Sequence, residues 1–155
     1  MKHSTLSPSA AHRWILCPGA RALESAHPDT RSPAATRGTA SHLLAAAAWG
    51  SPAPASKQVG VGLVVDGDMV IVDQAMADDA QTYIEGLRSY AGRDSVVMIE
   101  QRLDLSETLG VPDTFGTADA IVIRDDEVEI QIHDAKFGRG VRVEDRKSTR
   151  LNSSH

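Results

Sequence analysis

Apolar residues recur at helical spacing over residues 73–92, which is the clearest such pattern in the chain. The spacing predicts a helix that carries one apolar face and ends at Gly92. That face consists of Ala75, Ala80, Tyr83, Ile84, Leu87 and Tyr90.

A second helix is predicted from the segment RGTASHLLAAAAWG, residues 37–50. Thr39 is the predicted cap, Gly50 the predicted end, and His42 falls in the first turn. The preceding residues 27–37 are loop-like in composition, as are the polar and proline-containing residues 51–58.

The N-terminal residues 4–26 predict a short helix, a turn at Pro18-Gly19 and a second short helix through about Ser25. Residues 59–73 permit two interpretations. They form either a hairpin that turns at Asp66-Gly67 or a loop that leads to one short strand.

Beyond residue 92 the period changes from that of helices to that of strands. Strands are predicted over residues 96–105, 116–124 and 127–138, and Asp125-Asp126 is a two-residue turn between the last two. Helices followed by at least three strands predict an α/β domain with a helical N-terminal segment.

Composition narrows the class of protein. The 155 residues are 41% hydrophobic and 24% charged, as in a globular domain, and the net charge of −5 argues against nonspecific coating of nucleic acid. Cys17 is the single cysteine, which excludes an internal disulfide and any all-cysteine metal site built from this chain alone. Without a signal-like or membrane-spanning run, the cytoplasm is the expected location.

The last ten residues, RKSTRLNSSH, have no apolar periodicity and follow a well-patterned domain abruptly. They resemble translated read-through at the ends of metagenomic assemblies. We therefore expect a domain over residues 1–145 that is incomplete at its C-terminus, and a non-native tail over residues 146–155. An ordinary polar tail is the alternative interpretation.

Two carboxylates and a lysine are expected to meet on the predicted hairpin. Asp134 and Lys136 lie two residues apart and project from the same face of a strand. A turn at 125–126 places Asp119 near residue 132, and a small twist or bulge brings it beside Asp134. Paired carboxylates hold Mg²⁺ or Mn²⁺, and a lysine stabilises charge on a phosphate.

The same three residues also fit an exposed hairpin with no function, because a D-x-K pattern is common. Two features favour a site. Asp119 lies within an otherwise apolar strand, where an unpaired carboxylate is costly, and the segment KFGRG after Asp134 contains glycines that permit close approach of a phosphate.

The segments GTADAIVI and EIQIHDAK together resemble the core of PD-(D/E)XK nucleases, in their RecB-like exonuclease branch. The blocks HRWILCPGA, RGTASH and DAKFGRGVRV resemble a phage and prophage family of unknown function that is regarded as related to these nucleases. The resemblance covers most of residues 10–145. It implies a restriction-endonuclease-like fold, with a mixed central sheet flanked by helices.

The resemblance also implies roles for individual residues. Asp119 and Asp134 match the metal-binding acids, Lys136 the catalytic lysine and His42 an additional metal ligand. The backbone carbonyl of Ala135 is a further candidate ligand.

Other positions have alternatives. Glu100 matches a further acidic position or is a solvated strand residue. Arg139 and Arg142 contact DNA phosphates or are ordinary solvated charges. Cys17 resembles the first cysteine of iron–sulfur members, although its expected partners are absent here, so we predict a packed structural thiol. Family members also continue after the lysine with a helix that bears Gln and Tyr, whereas this chain continues as RKSTRLNSSH.

The resemblance implies a Mg²⁺- or Mn²⁺-dependent deoxyribonuclease, an exonuclease more than an endonuclease, acting on DNA beside phage replication or recombination proteins. A non-catalytic DNA-binding or scaffold module that retains the fold is the alternative. A metal-binding or structural domain with no nucleic-acid role is the third hypothesis.

Overall fold

A computed structural model describes residues 4–17, 19–26, 32–124 and 129–137 of the chain. The helices are α1 (Ala11–Trp14), α2 (Ala20–Ser25), α3 (Pro33–Trp49), α4 (Gln74–Ala91) and α5 (Ser106–Leu109). The strands are β1 (Gly62–Val65), β2 (Asp68–Ile71), β3 (Ser95–Asp104), β4 (Phe115–Arg124) and β5 (Glu129–His133). Short 3-10 turns occupy Pro8–Ala10 and Ala55–Gln58. The predicted α/β class is confirmed.

Helix α3 starts earlier than the sequence pattern predicts. Ser32 caps it by accepting a hydrogen bond from the Ala35 amide, and Pro33 is its first residue. Thr39 is therefore not a cap, and its hydroxyl donates to the Ala35 carbonyl within the helix. The prediction that His42 lies in the first turn is also wrong, because the Ser-Pro signal moves the start about two turns upstream.

Helix α4 is capped by Asp73, whose carboxylate accepts from the Met76 amide, and Gly92 follows it with φ 71°. The predicted apolar face is confirmed from Ala80 onward. At its start, however, Ala75 is exposed and Met76 is buried, because the buried face that includes Ala80 passes through Met76 and Ala77 one turn earlier.

Strands β1 and β2 form the hairpin that was one of two interpretations of residues 59–73. Asp66 and Gly67 connect them, and both have positive φ, 50° and 97°. Two left-handed residues match the twist of the flanking strands, which explains the Asp-Gly sequence at this turn.

The second sheet has the order β3-β4-β5, with antiparallel neighbours throughout. Both described sheets are antiparallel, so a central sheet of mixed direction is not seen among the described residues. Ala120 pairs with His133, and continuing this register puts position 119 opposite position 134. The predicted two-residue turn would place position 119 opposite position 132, so the observed register differs from the predicted one by two residues. Asp125-Asp126 and residues 127–128 lie outside the described residues.

One face of this sheet packs on the helices. Ala120 and Val122 of β4 join Leu87 and Ala91 of α4 in one apolar cluster, and α3 contacts α4 through a second one. Strand β5 ends sooner than predicted, at His133, and the alternating residues Ile130 and Ile132 are 68% and 66% exposed. The alternating apolar side chains of β5 thus lie on the side of the sheet away from α4.

Within the described residues, no helix has both the length and the apolar character that a membrane crossing requires.

Candidate metal centre

His42 projects from α3 toward the second sheet and is half-buried. Its Nδ1 lies 3.4 Å from Glu100 Oε1 and 3.5 Å from Asp119 Oδ1. The imidazole also meets the Phe137 ring edge to face, with 4.9 Å between the ring centroids. One side chain therefore faces two carboxylates from two neighbouring strands, and an aromatic ring fixes its position.

Glu100 interrupts an otherwise regular strand pair. Its neighbours pair with β4 in continuous register, Ile99 with Ala120 and Gln101 with Ala118, but Glu100 itself has φ 50°. A non-glycine residue rarely adopts this left-handed conformation, and it costs on the order of 1–3 kcal/mol. The distortion occurs directly opposite Asp119, where the chain brings two like charges together.

Asp119 is held from the other side of the strand pair. Its Oδ2 accepts the backbone N–H of Ala135 at 2.5 Å, and its side chain is 15% exposed. Ala118 and Ala120 on either side are buried. The amide of Ala135 thus fixes one carboxylate oxygen and leaves the other, Oδ1, directed at His42.

One ligand atom from each of His42, Glu100 and Asp119 lies within 4.8 Å of the others. Around Mg²⁺ or Mn²⁺ at about 2.1–2.2 Å, adjacent ligand atoms are about 3 Å apart, close to the two distances measured from Nδ1. One imidazole nitrogen and two carboxylate oxygens are also ligand types that divalent cations accept. The three residues could therefore hold one such ion.

The electrostatics of the cluster are those of a site with excess negative charge. Burial raises the pKa of Glu100, and the Asp119 charge raises it further, while His42 acts in the opposite direction. Burial, helped by the charges of Asp119, Glu100 and Asp134, also raises the pKa of Tyr83 to about 12. Both shifts indicate that added positive charge would be favoured here.

Asp134 does not join the three-residue cluster. Strand β5 ends at His133, so the chain leaves the sheet here, and Asp134 turns outward with 67% of its side chain exposed. Its Oδ1 accepts Lys136 Nζ at 2.5 Å. The predicted pairing of Asp134 and Lys136 on one side is therefore seen, but Glu100 occupies the place beside Asp119 that was predicted for Asp134.

The remaining predicted residues have different outcomes. Ala135 is buried and contributes its N–H to Asp119, a contact that the sequence prediction, based on its carbonyl, did not foresee. Arg139 and Arg142 lie outside the described residues. The prediction of a packed Cys17 is wrong, because the thiol follows the short helix α1 at a turn and is exposed.

Two aromatic residues beside the centre were not predicted as part of it. Phe137 packs edge to face against both His42 and Tyr83. Tyr83 was assigned to the apolar face of α4, yet its hydroxyl is buried with no hydrogen-bond partner in the described chain. A tyrosine among alanine and leucine positions was the signal available in the sequence, since a buried hydroxyl requires a partner.

A comparison with solved structures gave no match. Among protein families, the one described as Protein of unknown function (DUF2800) matches residues 3–153, which is nearly the whole chain. The chain therefore belongs to the DUF2800 family.

Proposed function

We propose that this protein is a divalent-metal-dependent nuclease that hydrolyses DNA phosphodiester bonds. The observation that carries the proposal is the convergence of His42, Glu100 and Asp119 from three separate elements, with ligand atoms within 4.8 Å. This convergence is unfavourable in two ways, because the Glu100 backbone is strained and two carboxylates lie close together. A bound cation would offset the repulsion between the carboxylates.

The cation is proposed to be Mg²⁺ or Mn²⁺. When bound, it would acidify a coordinated water and offset the charge of a phosphate. Asp119 would be held in a fixed orientation for it by the Ala135 amide, and His42 by Phe137. Because imidazole is a better ligand for Mn²⁺ than for Mg²⁺, we expect tighter binding of Mn²⁺ and a smaller difference between the two ions in His42→Ala.

Lys136 supplies positive charge next to the centre. Its ammonium group contacts Asp134, and the residue is part of the lining of a pocket together with Ala135 and Phe137. In the proposed reaction this lysine would neutralise charge on the scissile phosphate. Asp134 would hold the lysine in place, a positioning role that differs from the metal-ligand role implied by the resemblance.

The broader assignment follows from the resemblance of the sequence to RecB-like PD-(D/E)XK nucleases. It comprises a restriction-endonuclease-like fold and exonuclease activity in phage replication or recombination. Of this fold, the described residues contain a sheet with helices on one face, whereas the antiparallel pairing of β3, β4 and β5 lacks the parallel strand that a mixed sheet requires.

The test is cleavage of linear single- and double-stranded DNA by the purified full chain in Mg²⁺, Mn²⁺ or EDTA. The proposal predicts degradation in either metal, none in EDTA, and loss of cleavage in Asp119→Ala and Lys136→Ala. Unimpaired cleavage by Asp119→Ala would contradict the proposal, because it would place the activity elsewhere or in a contaminant.

A second candidate is a non-catalytic DNA-binding or scaffold module with the same fold. The outward position of Asp134 favours it, because this carboxylate, which the resemblance matches to a metal-binding acid, does not join the three-residue cluster. DNA binding without cleavage in either metal, unchanged in Asp119→Ala, is the result this candidate predicts.

A further inference from the structure

The His42 imidazole receives little support from its own helix. Side chains that lie one turn away, three or four positions along an α-helix, are the ones that can pack against a given residue. In α3 each of these positions carries a short side chain or none, and a methyl group added at Gly38 would meet no neighbour beyond its own stretch of helix within 4 Å. The four positions are Gly38, Thr39, Ala45 and Ala46. The helix alone therefore does not fix the orientation of the ring.

The two carboxylates that face His42 do not fix the ring either. Its Nδ1 lies 3.4 Å from Glu100 Oε1 and 3.5 Å from Asp119 Oδ1. A good N–H···O hydrogen bond is about 2.9 Å long, so both contacts are long ones. The two distances are also nearly equal, which means that neither acceptor directs the imidazole. The orientation of the ring therefore depends on a further contact.

Phe137 supplies that contact. Its ring meets the imidazole at an interplanar angle of 83° with 4.9 Å between the centroids, the edge-to-face arrangement that aromatic pairs prefer. Phe137 is itself held, because it meets Tyr83 at 85° and packs against the apolar cluster between α3 and α4. Through Phe137 the imidazole of His42 is thus anchored to the core of the molecule.

The segment that follows β5 contacts two of the three candidate ligands. Ala135 donates its N–H to Asp119, and Phe137 contacts His42. The residues directly before each of them, at positions 134 and 136, are exposed and contact each other. Alternate residues of this segment therefore face the metal centre, and Phe137 is the one that does so through its side chain.

We propose that Phe137 is a positioning residue that sets the metal preference of the centre: it holds the imidazole with Nδ1 toward the carboxylates, and so favours Mn²⁺ over Mg²⁺. This inference rests on the proposed function. Mg²⁺ prefers oxygen ligands and retains several waters, so its binding depends mainly on Glu100 and Asp119. Mn²⁺ accepts an imidazole nitrogen more readily. Its binding should therefore weaken when the imidazole is free to rotate away from the carboxylates.

The test uses Phe137→Leu, which keeps an apolar side chain and removes the ring. Phe137→Met, which also lacks the ring, is the second variant. Phe115→Leu is the matched control, because Phe115 is the other phenylalanine of the chain and its ring packs against the Arg102 guanidinium instead. His42→Ala, alone and combined with Phe137→Leu, completes a double-mutant cycle. Calorimetric titrations of the full chain with Mn²⁺ and with Mg²⁺ give both Kd values, and circular dichroism verifies that each variant is folded.

In Phe137→Leu and Phe137→Met we expect the Mn²⁺ Kd to rise about tenfold, as is typical when a residue that orients a metal ligand is lost. The Mg²⁺ Kd should stay within about twofold of wild type, because its oxygen ligands are unchanged. Phe115→Leu should leave both Kd values within about twofold of wild type. In the His42→Ala background Phe137→Leu should cause no further rise, because its effect passes through the imidazole.

The results that would overturn the role of Phe137 differ in what they leave standing. Equal rises of the Mn²⁺ and Mg²⁺ Kd in Phe137→Leu, or the same rise in the His42→Ala background, mean that the ring supports the fold and not the imidazole. An unchanged Mn²⁺ Kd in Phe137→Leu, with a clear rise in His42→Ala, removes the positioning role and leaves the proposed function standing. A wild-type chain that binds neither metal, or a His42→Ala variant that binds Mn²⁺ as wild type does, overturns the proposed metal centre as well.

Discussion

The three-stranded part of the second sheet has two ends, and each carries a glutamate and a tyrosine. At the first end, the metal end, are Glu100 and Tyr83, together with His42 and Asp119. At the second, the paired end, are Glu129 and Tyr90, together with Arg124. The two tyrosines lie seven residues apart on α4, about 10 Å along the helix.

The groups at the paired end have partners of complementary chemistry. Glu129 accepts hydrogen bonds from the Tyr90 hydroxyl and the Gln131 amide, and the Arg124 guanidinium lies over the Tyr90 ring. At the metal end two carboxylates face one histidine, and a tyrosine hydroxyl has no partner among the described residues. A glutamate and a tyrosine thus bind each other at one end, whereas at the other end the tyrosine hydroxyl is unpaired and two carboxylates share one histidine.

The largest expected difference between the ends is in activity. His42→Ala removes a proposed metal ligand, and we expect DNA cleavage to fall by about 10²-fold or more, beyond the effect of a typical outer-shell change. Glu129→Gln alters a carboxylate of the paired end that accepts hydrogen bonds from Tyr90 and Gln131, and cleavage should stay within about threefold of wild type at a temperature where the variant is folded. Equal losses in both variants would show that the two ends do not differ in function.

Metal binding should stabilise the chain through the metal end alone. At a Mn²⁺ concentration about 100 times its Kd, linkage contributes about 2.7 kcal/mol, or roughly 5–10 °C in Tm for a chain of this size. EDTA should reverse the shift. Differential scanning fluorimetry should show the same shift in Glu129→Gln and little or none in Glu100→Gln. A full shift in Glu100→Gln would remove this residue from the centre.

The pKa of Glu100 leads to a pH dependence of stability in the absence of metal. Because burial, the largest cause, raises this pKa in the folded protein, the ionised carboxylate is destabilising, and the chain loses stability as the pH rises through the raised pKa. Glu100→Gln should therefore be more stable than wild type near neutral pH. The difference should vanish below about pH 4, where glutamate is protonated in both states. Denaturant titrations over that range measure it.

Asp104 provides a contrast of opposite sign. Its carboxylate accepts the Ser106 N–H, which lowers its pKa, so its stabilising effect is present above the ordinary aspartate range and is lost as the pH falls. Asp104→Asn should be less stable than wild type near neutral pH and should approach it in acid. The same sign in both variants would contradict the assignment of Glu100 to a cluster of excess negative charge.

The smallest expected effect is the change in Tm when either Tyr83 or Tyr90 is replaced by phenylalanine. Tyr83→Phe removes an unpaired buried hydroxyl, so Tm should stay unchanged or rise. Tyr90→Phe removes the hydrogen bond to Glu129, and Tm should fall by about 1–3 °C. A fall in Tyr83→Phe as large as that in Tyr90→Phe would mean that the Tyr83 hydroxyl already has a partner.

The elements of this fold follow from local patterns where the local signal is strong. The apolar period is sufficient to predict α4, and the Asp-Gly pair is sufficient to predict the turn between β1 and β2. Both signals are local, because caps and left-handed turn residues act within a few positions. The start of α3 was predicted too late, although Ser32 and Pro33 carry a capping signal, because the polar composition of residues 27–37 outweighed it.

The candidate site was predicted only in part, and the reason is its dependence on long-range pairing. Asp119 and His42 are both in the cluster, and each was indicated by its local context. Glu100 is brought opposite Asp119 by the β3–β4 register, which no spacing along the chain specifies. The exposed position of Asp134 depends on where β5 ends, and the period of that strand gives no indication of its end.

The most direct test of the central claim, that His42, Glu100 and Asp119 bind one divalent cation, is calorimetric titration of the purified chain with Mn²⁺. We predict one Mn²⁺ per chain in wild type and in Glu129→Gln, and no measurable binding in Asp119→Asn. Circular dichroism should confirm that each variant is folded. Absence of binding in the folded wild type, or equal binding in Asp119→Asn, would contradict the claim.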